Sequence, residues 1–117
     1  MCSPADETPS EPCDAKPEEI DIARTIDMLN EATNLDIRSV NSSWAGLRTF
    51  SPDRSMVIGP EPGRENFVWC AGQGGTGIQT SPGAAQLLAD LVTAGEPSDG
   101  LVATGLEHTA LLPDRFR

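Results

Sequence analysis

The sequence predicts a small mixed chain of the α/β class, more exactly an α+β fragment, and three observations predict it. Two stretches, 17–33 and 82–94, carry apolar residues at helical spacing; β-branched and aromatic runs lie between them at about 37–50, 56–59 and 66–71; and Pro, Gly, Ser and Asp gather at the joints. The 117 residues allow one domain at most. With 38% hydrophobic residues and five aromatics, the core is expected to be thin.

Residues 1–36 hold ten acids and two bases, so most of the net charge of −10 sits at the N-terminal end. Pro4, Pro9, Pro12 and Pro17 forbid regular helix there and read as an irregular lead-in. The first helix is expected to open at Pro17, with Glu18, Glu19 and Asp21 close to its positive end. Ile22, Ile26 and Leu29, flanked by Ala23 and Met28, form a stripe that needs a partner surface. Residues 37–50 read as a long strand bent at Gly46. After the Ser51-Pro52-Asp53-Arg54 turn, where Asp53 is expected to cap backbone amides, residues 56–59 return as its hairpin partner. Glu61-Pro62-Gly63 makes another turn, and 66–71 suits a strand buried on both faces, with Cys70 as inert packing.

Next comes a loop, Gly72-Gln73-Gly74-Gly75-Thr76-Gly77, followed by a helix over 82–94 with Ser81 as cap and Pro82 in its first turn. Its apolar face is read as Ala84, Ala85, Leu88, Leu91 and Val92, and Gly95 is its stop. Residues 96–117 form a tail anchored by Leu101, Leu106, Leu111 and Leu112. The loop satisfies G-x-G-x-x-G, yet a helix opening at Ser81 starts about four residues later than a dinucleotide fingerprint demands. The acid expected about 20 positions on falls in the loop Glu96-Pro97-Ser98-Asp99-Gly100. Two readings remain: a side-chain-free surface that lets a flat ligand approach the backbone, or a tight structural turn.

The acidic balance and the lack of a basic patch argue against nucleic acid and anionic membranes, and no apolar run approaches the roughly 20 residues that span a bilayer. Cys2, Cys13 and Cys70 form no Cys-x-x-Cys pair, and with a single histidine in the chain neither a disulfide framework nor a metal site is indicated. A soluble, cytoplasmic protein with free thiols is expected. His108 has no triad partners and reads as a surface or tail-packing residue.

Trp44-Ala45-Gly46-Leu47-Arg48-Thr49-Phe50-Ser51-Pro52-Asp53, then Ile58-Gly59-Pro60, then Trp69 to Thr80 around the glycine loop resemble, in order and spacing, the C-terminal part of the D-amino-acid oxidase superfamily of FAD-dependent oxidoreductases. The likeness is strongest to D-arginine dehydrogenase-like enzymes, whose Ser-Pro-Ala-Asp-Glu-Thr stretch is matched by Ser3 to Thr8. The resemblance implies the C-terminal portion of a two-domain FAD-binding fold: residues 1–62 as part of the substrate domain, 63–95 as the last strand, flavin loop (72–80) and helix of the FAD domain, and 96–117 as tail. Such enzymes begin with a βαβ unit that this sequence lacks, so the chain reads as a C-terminal fragment or subunit whose N-terminal part is a separate partner chain. The alternative is a non-catalytic remnant or interaction module that binds no FAD.

The resemblance also implies roles. Arg48 would hold the carboxylate of a D-amino acid or related amine substrate by two parallel hydrogen bonds. Gly74, Gly75, Thr76, Gly77, Ile78 and Gln79 would lie along the FAD ring, with Gly75 and Gln79 also bordering the substrate. The following helix N-terminus would stabilise the negative charge that hydride transfer places on the ring's pyrimidine edge. No side chain is assigned as a catalytic acid or base. Position 76 is Thr where the D-arginine dehydrogenase-like enzymes carry Tyr, so substrate preference does not transfer.

Overall fold

The structure, a computed structural model, describes residues 8–117. The readings that involve Cys2 and residues 3–7 lie outside the described residues. The chain divides into two compact units, Met1–Leu47 and Arg48–Arg117.

The first unit contains helix α1, Glu19–Ala32. Glu18 is its N-cap, so Pro17 stands just ahead of the helix rather than at its first position. The Glu18 carbonyl accepts the Asp21 and Ile22 amides, both at 3.2 Å, which sets the start there. Glu19 and Asp21 occupy the first turn as the dipole favours. Ile22, Ile26 and Leu29 are half-buried, whereas Ala23 and Met28 are exposed, and no residue of α1 is buried. Asn30 pins the chain after the helix. Its amide donates to the Ile37 carbonyl at 2.9 Å, and its carbonyl oxygen accepts the Ile37 N–H at 2.7 Å.

The strand expected over 37–50 does not form: this stretch has no ladder partner and is exposed at every position but Ile37. Strand propensity describes how a side chain fits a pleated, half-covered surface, and without a neighbouring strand it stabilises nothing.

In the second unit, β1 (Val57–Glu61) pairs antiparallel with β2 (Arg64–Ala71) in register from Val57 opposite Ala71 to Pro60 opposite Val68, with an irregularity between Pro60 and Glu61. The hairpin thus joins β1 to the strand after it, not to the segment before it. Pro62 and Gly63, the latter at φ +80°, make the connection, and Pro60 is tolerated because both strands of a two-stranded sheet are edges. β2 is not buried on both faces. Phe67 and Trp69 are exposed and stack edge to face at 5.0 Å between centroids, and Cys70 is exposed as well. Here α2 and the tail pack beside β1 and leave these β2 side chains uncovered.

Helix α2 spans Gly77–Thr93, beginning at the last loop glycine rather than at Ser81. Pro82 lies inside it, where its missing N–H deprives the Ile78 carbonyl of the usual partner. The Ser81 hydroxyl donates to that carbonyl at 2.9 Å and makes the early start tolerable. The buried face carries Leu87 and Leu91, flanked by Ala84 and Leu88, while Ala85 and Val92 are exposed. The spacing 84, 87, 88, 91 is one clean helical stripe, and Val92 lies one position past it. Gly95, at φ +81°, ends the helix and donates to the Asp90 carbonyl at 3.2 Å, as a left-handed stop should.

Ile58, Leu87 and Leu91 are the buried core, and Leu101, Leu106, Leu111 and Leu112 of the tail pack against it. The tail holds a short helix α3 (Asp99–Val102) and two 3-10 turns, His108–Leu111 and Pro113–Phe116. It crosses β1 at Gly59, where a Cβ would come within 2.7 Å of Leu112 Cδ2 and φ is +137°, so only glycine fits. Burying each of the three core side chains contributes about 1.5 to 3 kcal/mol, so a core this small leans on the tail that covers it.

Candidate functional site

The 48–51 segment and the glycine loop lie side by side within the second unit. Gly74 donates its amide to the Thr49 carbonyl at 3.0 Å. The Phe50 ring occupies the space a side chain at 74 would need, with Cε1 2.6 Å from an ideal Cβ, and Gly74 adopts φ +52°. At Gly75 the neighbour is Arg48, whose Nη1 lies 3.3 Å from the position a Cβ would take. The structure therefore brings Arg48 and Gly75 into contact although they are 27 positions apart in sequence.

Beyond Gly75 the backbone enters α2 without a side-chain cap. The Thr76 hydroxyl instead turns back to the Gln73 carbonyl at 3.1 Å, and the first intrahelical amide bond runs from Thr80 to the Thr76 carbonyl at 3.1 Å. The amides of Gly77, Ile78 and Gln79 belong to the first turn, where a helix offers them no acceptor, and they carry the positive end of the dipole. Gly75, Thr76, Ile78 and Gln79 are exposed, and Ile78 is 95% exposed, an apolar side chain standing in solvent at the mouth of the helix. No Lys or Arg occurs between Glu65 and Asp114, so the loop carries no cation of its own; Arg48 lies against Gly75, and Arg54 stands 5.0 Å from the centroid of the Phe50 ring that packs on Gly74. Residues 74–79 thus form a side-chain-poor, donor-bearing surface, which fits the edge of a flat, electron-accepting ring such as that of FAD.

A surface groove of the second unit, about 410 Å³, runs by Phe50 and Pro52 to Trp69, Pro113 and Phe116, touches the loop only at Gly72, and includes neither Arg48 nor Gly75. Among the described residues no group of His, Cys, Asp and Glu could hold a metal ion, and no helix is long and apolar enough to cross a membrane. Cys13 and Cys70 are free, and His108 is half-buried in the first 3-10 turn of the tail.

The sequence profile of the family described as DAO, FAD dependent oxidoreductase, matches residues 4–91. The chain belongs to this family of FAD-dependent oxidoreductases. It is 37% identical over 75 residues to glycine oxidase of Pseudomonas putida, an alignment covering 64% of this chain and 20% of that enzyme. It is 41% identical over 54 residues to glycine oxidase of Pseudomonas aeruginosa, covering 46% and 15%. Against D-amino acid dehydrogenase of Rhizobium johnstonii it is 43% identical over 56 residues, covering 48% and 13%. The chain thus matches a fifth or less of the length of these relatives.

A polar cluster around Asp53 joins residues far apart in the chain. Asp53 does cap, accepting the Ser55 amide at 3.0 Å and the Ser51 hydroxyl at 2.8 Å. Its main partner, however, is Arg115 of the last 3-10 turn, with Nε to Oδ2 at 2.7 Å and Nη2 to Oδ1 at 3.1 Å. Arg117 similarly reaches Glu61 at 3.0 Å and the Pro62 carbonyl at 2.9 Å, while Trp69 Nε1 donates to the other Glu61 oxygen at 2.7 Å. Nothing local marks such pairs, since about 60 residues separate the partners; two arginines at the end of an acidic chain were the only available signal.

The Arg115 guanidinium, with smaller help from Ser55 and Ser51, holds the Asp53 carboxyl far below its ordinary value of 3.8. The Trp69 N–H and then Arg117 lower Glu61, and hydrogen bonds from Ser98 lower Asp90. Each acid is more acidic folded than unfolded, so the stabilisation is complete above the unfolded value and is lost as pH falls through it toward the folded one. The thermal midpoint is therefore expected to fall as pH drops below the ordinary Asp53 value of 3.8, and Asp53→Asn is expected to flatten that dependence. A midpoint series in acid buffers measures it, and an identical slope in the variant would show that Asp53 is not its source.

Proposed function

We propose that this chain supplies the carboxylate anchor and the flavin-facing loop of an FAD-dependent oxidoreductase that oxidises D-amino acids or related amines by hydride transfer to FAD. The contact between the Arg48 guanidinium and Gly75 carries the reading, because it sets a carboxylate-binding fork against a surface where a flat ring can approach the backbone. The names of the relatives, glycine oxidase and D-amino acid dehydrogenase, support an amino-acid substrate.

FAD, when bound, supplies the hydride acceptor. Arg48 binds the substrate carboxylate through two parallel N–H donors and so fixes the direction of the Cα–H bond. Gly74 leaves room for the Phe50 ring and Gly75 for the Arg48 guanidinium, which keeps Arg48 seated at the loop, and Gln79 with Gly75 would border the substrate. The amides of Gly77, Ile78 and Gln79 stabilise negative charge at the ring edge, as pre-oriented donors do at no reorganisation cost. Residues 1–62 act as substrate-domain elements and 63–95 as the end of the FAD domain. The dinucleotide-binding βαβ unit comes from polypeptide beyond these 117 residues, in a separate N-terminal chain or the same one. The free thiols of Cys13 and Cys70 favour a cytoplasmic setting.

Visible flavin absorbance of the chain purified together with an N-terminal FAD-binding partner tests the reading, followed by anaerobic addition of amino acids. Bleaching by D-amino acids and not by their L-enantiomers is expected. A complex that retains no flavin would leave the chain as a non-catalytic interaction module.

A further inference from the structure

Arg115 lies 67 positions from Arg48 in sequence (115 − 48 = 67) and touches neither it nor the loop in any contact described above, yet its hydrogen bonds converge on the turn that backs them both. Besides both Asp53 oxygens, it donates to the Ser55 and Met56 carbonyls, each at 3.0 Å, and to the Leu112 carbonyl of its own tail at 2.9 Å. Its side chain is only 14% exposed. The Ser51 hydroxyl, whose one hydrogen is shared between Asp53 Oδ1 and the Ser55 carbonyl, closes the turn from within, and the Arg54 amide donates to the Ser51 carbonyl at 3.0 Å.

That turn is the seat of the glycine loop. A Cβ at Gly72, which adopts φ +71°, would stand 3.5 Å from both the Ser51 nitrogen and the Ser55 oxygen. Immediately before the turn, Phe50 fills the space at Gly74, Thr49 accepts the Gly74 amide, and Arg48 faces Gly75. A shift of the turn therefore moves the backing of three loop glycines and the base of the Arg48 side chain together.

We propose that Arg115 is a positioning residue for the Arg48 and glycine-loop site, holding the Ser51–Ser55 turn so that residues 48–50 stay seated against Gly72–Gly75. A guanidinium suits the task because its planar fork grips a carboxylate with two donors and still reaches carbonyls beside it, which an ammonium cannot do in one geometry. The consequence for turnover rests on the proposed role of Arg48; the positioning itself does not.

Amide exchange followed residue by residue in the 117-residue chain tests the positioning. In Arg115→Ala the Gly74 amide is expected to exchange about tenfold faster or more, while amides in the Leu87–Leu91 stretch of α2 change by less than about twofold. Arg115→Lys is expected to restore only part of the protection. Asp53→Asn, which keeps the side-chain shape and the tail sequence, is expected to show the same local pattern more weakly. Unchanged Gly74 exchange in Arg115→Ala overturns the proposal. So does parallel acceleration of Gly74 and α2 in both Arg115→Ala and Asp53→Asn, which would mark a general stabiliser. In a flavin-loaded enzyme containing this chain, Arg115→Ala is expected to raise the amino-acid KM more than it lowers kcat. Faster Gly74 exchange with an unaltered KM would uphold the positioning and count against Arg48 as the carboxylate anchor.

Discussion

Arg48→Ala in a flavin-loaded enzyme containing this chain is expected to raise the substrate KM on the order of thirtyfold or more while FAD stays bound. Removing one partner of a desolvated, bidentate charge pair costs about 2 to 5 kcal/mol, much of it from leaving the substrate carboxylate unpaired. Arg48 is exposed in this chain and makes no ion pair among the described residues that its loss would orphan. The substitution should therefore spare the fold, and the thermal midpoint is expected to stay close to the parent value. Arg48→Lys should recover charge but not the planar fork, and so only part of the affinity. Steady-state kinetics with a D-amino acid, alongside flavin stoichiometry, make the measurement. An unchanged KM with flavin bound would remove Arg48 from the site.

Gly75→Val is expected to abolish flavin retention or turnover with little loss of stability. The structure makes this substitution a cleaner probe than the loop's composition implies. The left-handed positions are Gly72 and Gly74, at φ +71° and +52°, whereas Gly75 has no positive φ and can accept an L residue without backbone strain. A Cβ at 75 would meet the Arg48 guanidinium at 3.3 Å, the far end of a flexible side chain that can move aside. The stability cost should therefore stay within about 1 kcal/mol. Bulk at 75 would nonetheless occupy the surface that the proposed function gives to ring and substrate, and push Arg48 from its place. Gly74→Val is the contrasting control: positive φ and the Phe50 ring 2.6 Å away both oppose it, so it should lower the thermal midpoint sharply. Normal flavin stoichiometry and rate in Gly75→Val, with only a lowered midpoint, would reduce the loop to a structural turn.

Much of the molecule was readable along the chain because the physics involved is local. Acids in the first turn of α1, the turn at Ser51–Arg54, the Pro62-Gly63 connection and the Gly95 stop each depend on a few consecutive residues and their backbone angles. The composition alone foretold a thin core, and among the described residues that core is Ile58, Leu87 and Leu91. Arg48 and residues 74–79 were singled out by motif, and their contact at Gly75 is a property that no spacing in the sequence contains.

Tertiary structure decided whatever depends on a distant neighbour. Residues 37–50 have strand-forming side chains but no ladder partner, so they form no strand, and β1 pairs forward with β2 instead. Pro82 marked a helix start by local rule, yet the Ser81 hydroxyl satisfies the carbonyl that proline abandons, so α2 reaches back to Gly77 and places its N-terminal amides directly behind the loop. The ion pair between Asp53 and Arg115 joins the turn behind the glycine loop to the tail. A charge carries no label for its partner until folding brings the two within hydrogen-bond reach, and that is the physical reason the sequence determines the local pieces of this chain while only the folded chain determines how its loop is held.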